Sequence, residues 1–296
     1  MESHKKSFTR RDFFRNTAAA AVGTSVIGMM GGKGFSQTAA KRSARVVLTR
    51  DEQVLNAENA VNVDVLKKML DETVTRLTGD KNPVKAWKTL FKVEDTVGLV
   101  HTNAVIKAHQ ELIDAVQAAL VAAGIPQDKI VMAQGRDLEK VKACTALICM
   151  PTLKAHWLTG IGTVMKNYIL FSGNPRNYHT ENSNKLGEIW NLPFVKDKTK
   201  LVLVDALYPL CDKGPQFDPQ YRWPYKGLVA GKDPVAVETV CLKIITEKRN
   251  QIKGEPWPLS PPPICVEAAD KEYGLGTSKW EEIVLEKVGW TKDSLV

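Results

Sequence analysis

Lys154, His156 and Lys166 with Asn167 lie in one stretch, Pro151 to Gly173, on either side of Gly160 and Gly162. Glycine permits a tight reversal, so an amine and an imidazole ten positions apart can converge if the second half starts a helix near Thr163. A shielded lysine there could be a nucleophile or hold an anion, and a histidine could carry protons or ligate a metal. The plainer reading is a structural loop with a surface lysine; three such groups after one apolar run favour chemistry. His101, Thr102 and Asn103 stand where another apolar run ends. His179, in the polar segment Asn174 to Asn191, is either a ligand swung over the same site or an exposed histidine. Asp205 closes a third apolar run, where it could orient a lysine or accept a substrate hydroxyl; a turn or capping carboxylate would look the same. His109, at a helix entrance, reads as structural, and Asp233-Pro234 reads as an N-cap followed by proline at the first helical position.

The elements that must position these groups follow from periodicity. Arg45 to Thr49 reads as a short strand, and Val63, Leu66, Met69, Leu70, Val74 and Leu77 have the spacing of an amphipathic helix with Asn62 as cap and Gly79 as stop. Pro83 to Phe91 predicts a second helix with Trp87 turned into the core. Thr96 to His101, Gln110 to Ala123 and Lys129 to Ala133 form a strand, helix and strand in about thirty-eight residues, a βαβ unit with parallel strands. A helix from Asp137 to Ala143 then leads to the buried strand Ala146 to Met150. In such folds ligands bind beyond the carboxyl ends of the strands, which is where the Pro151 stretch begins. Lys200 to Asp205 and Gly227 to Ala230 are further strands, and Val235 to Thr246 is a helix. Pro256 to Pro263, with five prolines, is an extended surface segment. Ile264 to Tyr273 is a helix, and Lys279 to Val288 a last strand or helix. The expected fold is α/β: a mostly parallel sheet flanked by helices, over residues 41–296, with room for two lobes and no internal repeat.

The first forty residues have a different grammar. Thr9-Arg10-Arg11-Asp12-Phe13-Phe14-Arg15 precedes an alanine-rich run, Ala18 to Met30, and a small-residue exit at Thr38-Ala39-Ala40. This is the layout of a twin-arginine export signal over residues 1–40, cleaved near Ala40. The run is too short and glycine-punctuated to be a stable membrane span. The expected location is the periplasm, the expected partner in transit is the twin-arginine translocase, and carriage of a folded chain suits a cofactor inserted beforehand. The signal holds six of the Lys/Arg residues and two of the acids, so the formal charge falls from +8 to +4 on its removal, and a nucleic-acid role loses its compositional support. The five cysteines (Cys144, Cys149, Cys211, Cys241 and Cys265) are too dispersed for a disulfide scaffold and contain no Cys-x-x-Cys pair.

At Val97 to Asn103, Pro151 to His156, Leu158 to Asn167, Val204-Asp205 and Ala230 to Val237 the chain resembles the family catalogued as domain of unknown function 362, from about residue 45 onward. Many relatives carry iron–sulfur cysteine motifs; this chain lacks those cysteines, so no iron–sulfur cluster is expected. More distantly, His156-x-x-x-Gly160 followed by Lys166 is similar to the segment of nickel-pincer lactate racemases in which a histidine is a base and a lysine holds the covalent pincer. The resemblance implies His156 as base, Lys166 as cofactor anchor and His179 near the metal-ligand position. The second base of those racemases has no counterpart: Gly135-Arg136-Asp137 stands where they carry Gly-Thr-His. His156, Lys166 and Asp205 are therefore the expected catalytic residues. Lys154, Lys166, Gly160, Asn167, His101 and Asn103 are expected to bind a metal or pincer-like cofactor, and His179 with His156 to ligate metal. Three functions follow as expectations: an oxidoreductase or isomerase acting on a small anion, a non-catalytic periplasmic binder of an anion or metal, or an electron carrier.

Overall fold

A computed structural model describes residues 43–133, 135 and 137–296. The export signal expected over 1–40 lies outside the described residues, as does Arg136. Nine strands are found among the described residues: β1 Ala44–Arg50, β2 Val97–His101, β3 Ile130–Met132, β4 Ala146–Met150, β5 Thr152–His156, β6 Gly160–Ile161, β7 Thr199–Leu210, β8 Gly227–Gly231 and β9 Ile283–Gly289. They form one mixed sheet in the order β3-β2-β4-β7-β8-β1-β9, with β5 on the far half of β7 and β6 on β5. β3, β2, β4 and β7 are mutually parallel, and β1 is parallel to β9. β8 runs antiparallel to both β7 and β1, so the fold is α/β with a mostly parallel sheet.

Strand alternation divides the core into two layers. Val47, Leu99, Ile148, Leu203 and Ala230 face one side and pack on α1 (Val63–Thr78), α2 (Pro83–Leu90) and α3 (Gln110–Ala122). Leu48, Val100, Cys149, Val204 and Val229 face the other, under α5 (Leu186–Trp190), α6 (Pro234–Lys253) and α7 (Ile264–Lys271); a short α4 (Leu138–Ala143) precedes β4. Burial on both faces is why these strands read as continuous apolar runs. The caps behave as their chemistry requires. Asn62 accepts from the Val65 amide, Gly79 closes α1 at φ 82°, and Asp233 accepts from the Val235 and Ala236 amides at 2.9 Å each.

Two expectations change. The Pro151 stretch does not open as a loop: β4 stops at Pro151, which has no N–H to give the ladder, and the chain resumes at once as β5. Asp205 does not end its strand either. β7 runs on for twelve residues, its first part paired with β4 and its second with β5, Thr152 opposite Asp205 and Lys154 opposite Leu210. The two short strands thus share one long partner, and the Asp205 amide bonds the Pro151 carbonyl at the break, 2.8 Å.

Candidate functional site

Period two does what the glycine turn was expected to do. In β5, Leu153 and Ala155 enter the core, and Thr152, Lys154 and His156 share the opposite face. The alternation Thr-Leu-Lys-Ala-His was the legible signal. The Lys154 amine is held by its own strand: Nζ donates to the Thr152 hydroxyl at 2.9 Å and the Thr152 carbonyl at 3.2 Å, and approaches the Thr102 hydroxyl at 3.5 Å. Gly160, at φ 73°, turns the β5–β6 hairpin, and a Cβ there would lie 2.6 Å from the Pro261 carbonyl oxygen. The proline segment therefore seals the turn from outside. Gly162 serves His156 directly, because a Cβ would stand 2.9 Å from the His156 Cβ.

The chain then enters a 3-10 helix, Met165–Ser172, rather than an α-helix from Thr163. Its first amides are tied down by a residue that sequence reasoning missed: Glu238, fully buried on α6, accepts from the Val164 amide at 2.7 Å and the Met165 amide at 3.4 Å. A lone carboxylate in the apolar run Val235 to Val240 was the available sign. The tether sets the position of Lys166, whose Nζ lies 2.6 Å from His179 Nε2, and of Asn167, which donates to the Val100 carbonyl at 2.6 Å. The rings of His156 and His179 stack with centroids 5.8 Å apart.

Burial sets the protonation of these groups. Burial, then the charge of Lys166, lowers the Lys154 amine to about 7, and burial lowers Lys166 to about 8. Burial, then Lys166, His179 and Lys154, pushes His156 down to about 2, so it is neutral at any working pH. The Leu158 amide donates to His156 Nδ1 at 3.1 Å, which leaves the neutral ring's proton on Nε2 as a hydrogen-bond donor. His179 is likewise lowered, by burial and then by Lys166, and so offers Nε2 as acceptor to the lysine. Glu238 is raised to about 7 by burial.

Lys154, His156, Lys166 and Asn167 line one cleft of about 520 Å³ together with His101, Asn103 and Gly162. His101 is half-buried, its imidazole lowered by burial, with Nδ1 3.4 Å from the Thr102 carbonyl. Gly160, His179 and Asp205 do not line the cleft; His179 stands behind Lys166. Asp205 is saturated elsewhere: it accepts from His109 Nδ1 at 2.7 Å, the His109 amide at 2.8 Å and the Leu207 amide at 3.1 Å. Burial alone would raise its carboxyl, but the His109 charge and these bonds hold it below its ordinary value; the same pairing outweighs burial and raises His109.

The protein-family model described as Domain of unknown function (DUF362) matches residues 98–243. That segment is a DUF362 domain. It runs from β2 into α6 and carries every one of these groups, Glu238 included; β1, α1, α2, α7 and β9 lie outside the match. No curated protein and no solved structure matches the chain. Among the described residues of the DUF362 domain and its flanks, no group of three or more His, Cys, Asp or Glu could hold a metal ion, and all five cysteines are buried and unbridged. No described helix is long and apolar enough to cross a membrane. The donor set suits a group attached to a lysine better than a caged ion: Lys166 offers an amine and His179 one imidazole nitrogen beside it.

Proposed function

We propose that the protein is exported and that its DUF362 domain binds a small organic anion in the cleft and moves a proton on it. The observation that carries this reading is that two amines of the cleft, Lys154 buried and Lys166 part-buried, have only uncharged hydrogen-bond partners: threonine hydroxyls, a carbonyl and a neutral imidazole. The acids that act on Lys154 through space, Glu238 and Asp205, are engaged by backbone amides and by His109. A buried cation without an acid in contact is costly, and an anionic ligand would make good the deficit. The Nε2–H of His156 and the Lys166 ammonium would hold the anion, and the Lys154 amine, partly neutral at pH 7, would take or return the proton. A lysine-attached metal pincer, as the sequence resemblance implies, would be held by Lys166 with His179 beside it and would supply redox chemistry there.

Lys154 must be neutral to act as base and Lys166 charged to bind, so the rate would pass through a maximum between about 7 and about 8. Titration calorimetry with carboxylates, followed by proton–deuterium exchange on the bound acids in heavy water, tests the reading. Binding with exchange that Lys154→Met abolishes supports it. Binding with no exchange leaves a periplasmic anion binder, and no binding to any organic anion rejects both.

A further inference from the structure

The cleft is far larger than its cationic groups need. At about 520 Å³ it has room for roughly seventeen waters at their liquid volume, against roughly six heavy atoms in a three-carbon hydroxy acid. Its chemistry also changes across the sheet. Lys154 and His156 sit on β5, the continuation of β4; next to β4 comes β2, which contributes Val100, and next to β2 comes β3. Met132 of β3 pairs with Leu99 and faces the layer opposite Val100. It meets the cleft at the carboxyl end of its strand, beside Asp137 and Lys140, which pair with each other at 3.2 Å. Two strand spacings separate the cationic end from the Met132 end, about 10 Å. The roof repeats the pattern. In the 3-10 helix Met165–Ser172 residues three apart eclipse, so Ile169 stands on the face of Lys166 about 6 Å further along, with Leu170 beside it. Ile169 and Leu170 both line the cleft.

We propose that the ligand of this cleft is an amphipathic organic acid. Its carboxylate, or an equivalent oxyanion, is seated at Lys154, His156 and Lys166, and an apolar body about 10 Å long runs past Val100, Ile169, Leu170 and Phe171 around the carboxyl ends of β2 and β3 toward Met132. This rests on the anion-binding reading above and specifies the substrate class: a medium-chain, branched or aryl acid rather than a three-carbon one. The polar head fixes orientation and the apolar wall supplies affinity, the usual division of labour in a concave small-molecule site.

The test is calorimetry at pH 6.5 on the full chain with the straight-chain acids from acetate to octanoate, phenylpropionate, and the neutral amide of each. The expected result is an affinity rising about three- to four-fold per methylene up to hexanoate or beyond, with each amide at least ten-fold weaker than its acid. Leu170→Asp, at a partly exposed position, should weaken hexanoate at least ten times more than acetate. Acetate binding as tightly as hexanoate, or a Leu170→Asp effect independent of chain length, overturns the amphipathic assignment and leaves the anion site standing. Amides binding as well as acids, or no acid binding at all, overturns the anion site itself.

Discussion

Thr152 and Asp205 face each other across β5 and β7, and each strand carries a buried ionisable group within two residues of that point, Lys154 and Asp205. The two groups are in opposite conditions. Asp205 has a charged or chargeable partner and two backbone amides, and its carboxyl is held in the ionised form. Lys154 has hydroxyls and a carbonyl, and its amine is driven toward neutrality. Burial is common to both, so burial does not mark a site. The difference is direct pairing: Asp205 touches an imidazole that can carry charge, whereas Lys154 touches no described acid, and under the proposed function an anion entering the cleft would supply that contact.

The strongest way to break this contrast is Asp205→Ala. Removing one member of a buried pair and the acceptor of two amides should cost about 3 kcal/mol, read as a lower urea midpoint with an unchanged slope; a loss under 1 kcal/mol would make Asp205 as unfinished as Lys154. Lys154→Met should do the reverse at pH 6, leaving stability unchanged or raising it by about 1 kcal/mol because an unpaired buried cation is removed. Carboxylate affinity should fall roughly 30-fold in the same variant, the loss of one charge-assisted hydrogen bond of about 2 kcal/mol.

The pH dependence of stability sharpens the comparison further. The unfolded Lys154 amine keeps its proton up to its ordinary 10.5, and the folded one releases it above about 7. The unfolded state therefore binds more protons between these values, and stability rises with pH through that window; Lys154→Met should flatten this part of the curve. Glu238 acts in the opposite sense, since its folded carboxyl holds a proton up to about 7 against an ordinary 4.5. Stability from this group falls as pH rises from 4.5 to 7, and Glu238→Gln should remove the fall, as followed by urea titrations at each pH. The smallest effect is expected for His179→Phe. It deletes the acceptor of Lys166 and should weaken carboxylate binding about three-fold, near 0.7 kcal/mol, whereas an unchanged affinity would detach His179 from the site.

Several parts of this molecule could be read without coordinates because their determinants are local. The apolar spacing from Val63 to Leu77 gave a helix that the structure places at Val63–Thr78, and the βαβ unit through β2, α3 and β3 is parallel as its connection length demands. Asn62, Gly79 and Asp233 cap by side-chain and backbone chemistry that acts within four residues. Thr152 to His156 alternates as a strand does, yet Gly160 and Gly162 mark the same stretch as a turn, and only pairing with β7 selects the pleat. An acid commonly stops an apolar run, so Asp205 reads as a strand end; only the presence of two partner strands in succession lets β7 continue past it.

The sequence determined the residue types of the site, the α/β layering and the strand face on which Lys154 and His156 stand together, since these depend on neighbours one to four positions away. Tertiary structure alone decided which charges are met. His109 reaches Asp205 from 96 positions away and Glu238 reaches the Val164 amide from 74, contacts that no local pattern encodes. The same packing brings no described acid into contact with Lys154 or Lys166, and Glu238 and Asp205 act on Lys154 only through space. Whether a buried ionisable group is structural or poised depends on the through-space partners that a low-dielectric interior makes decisive.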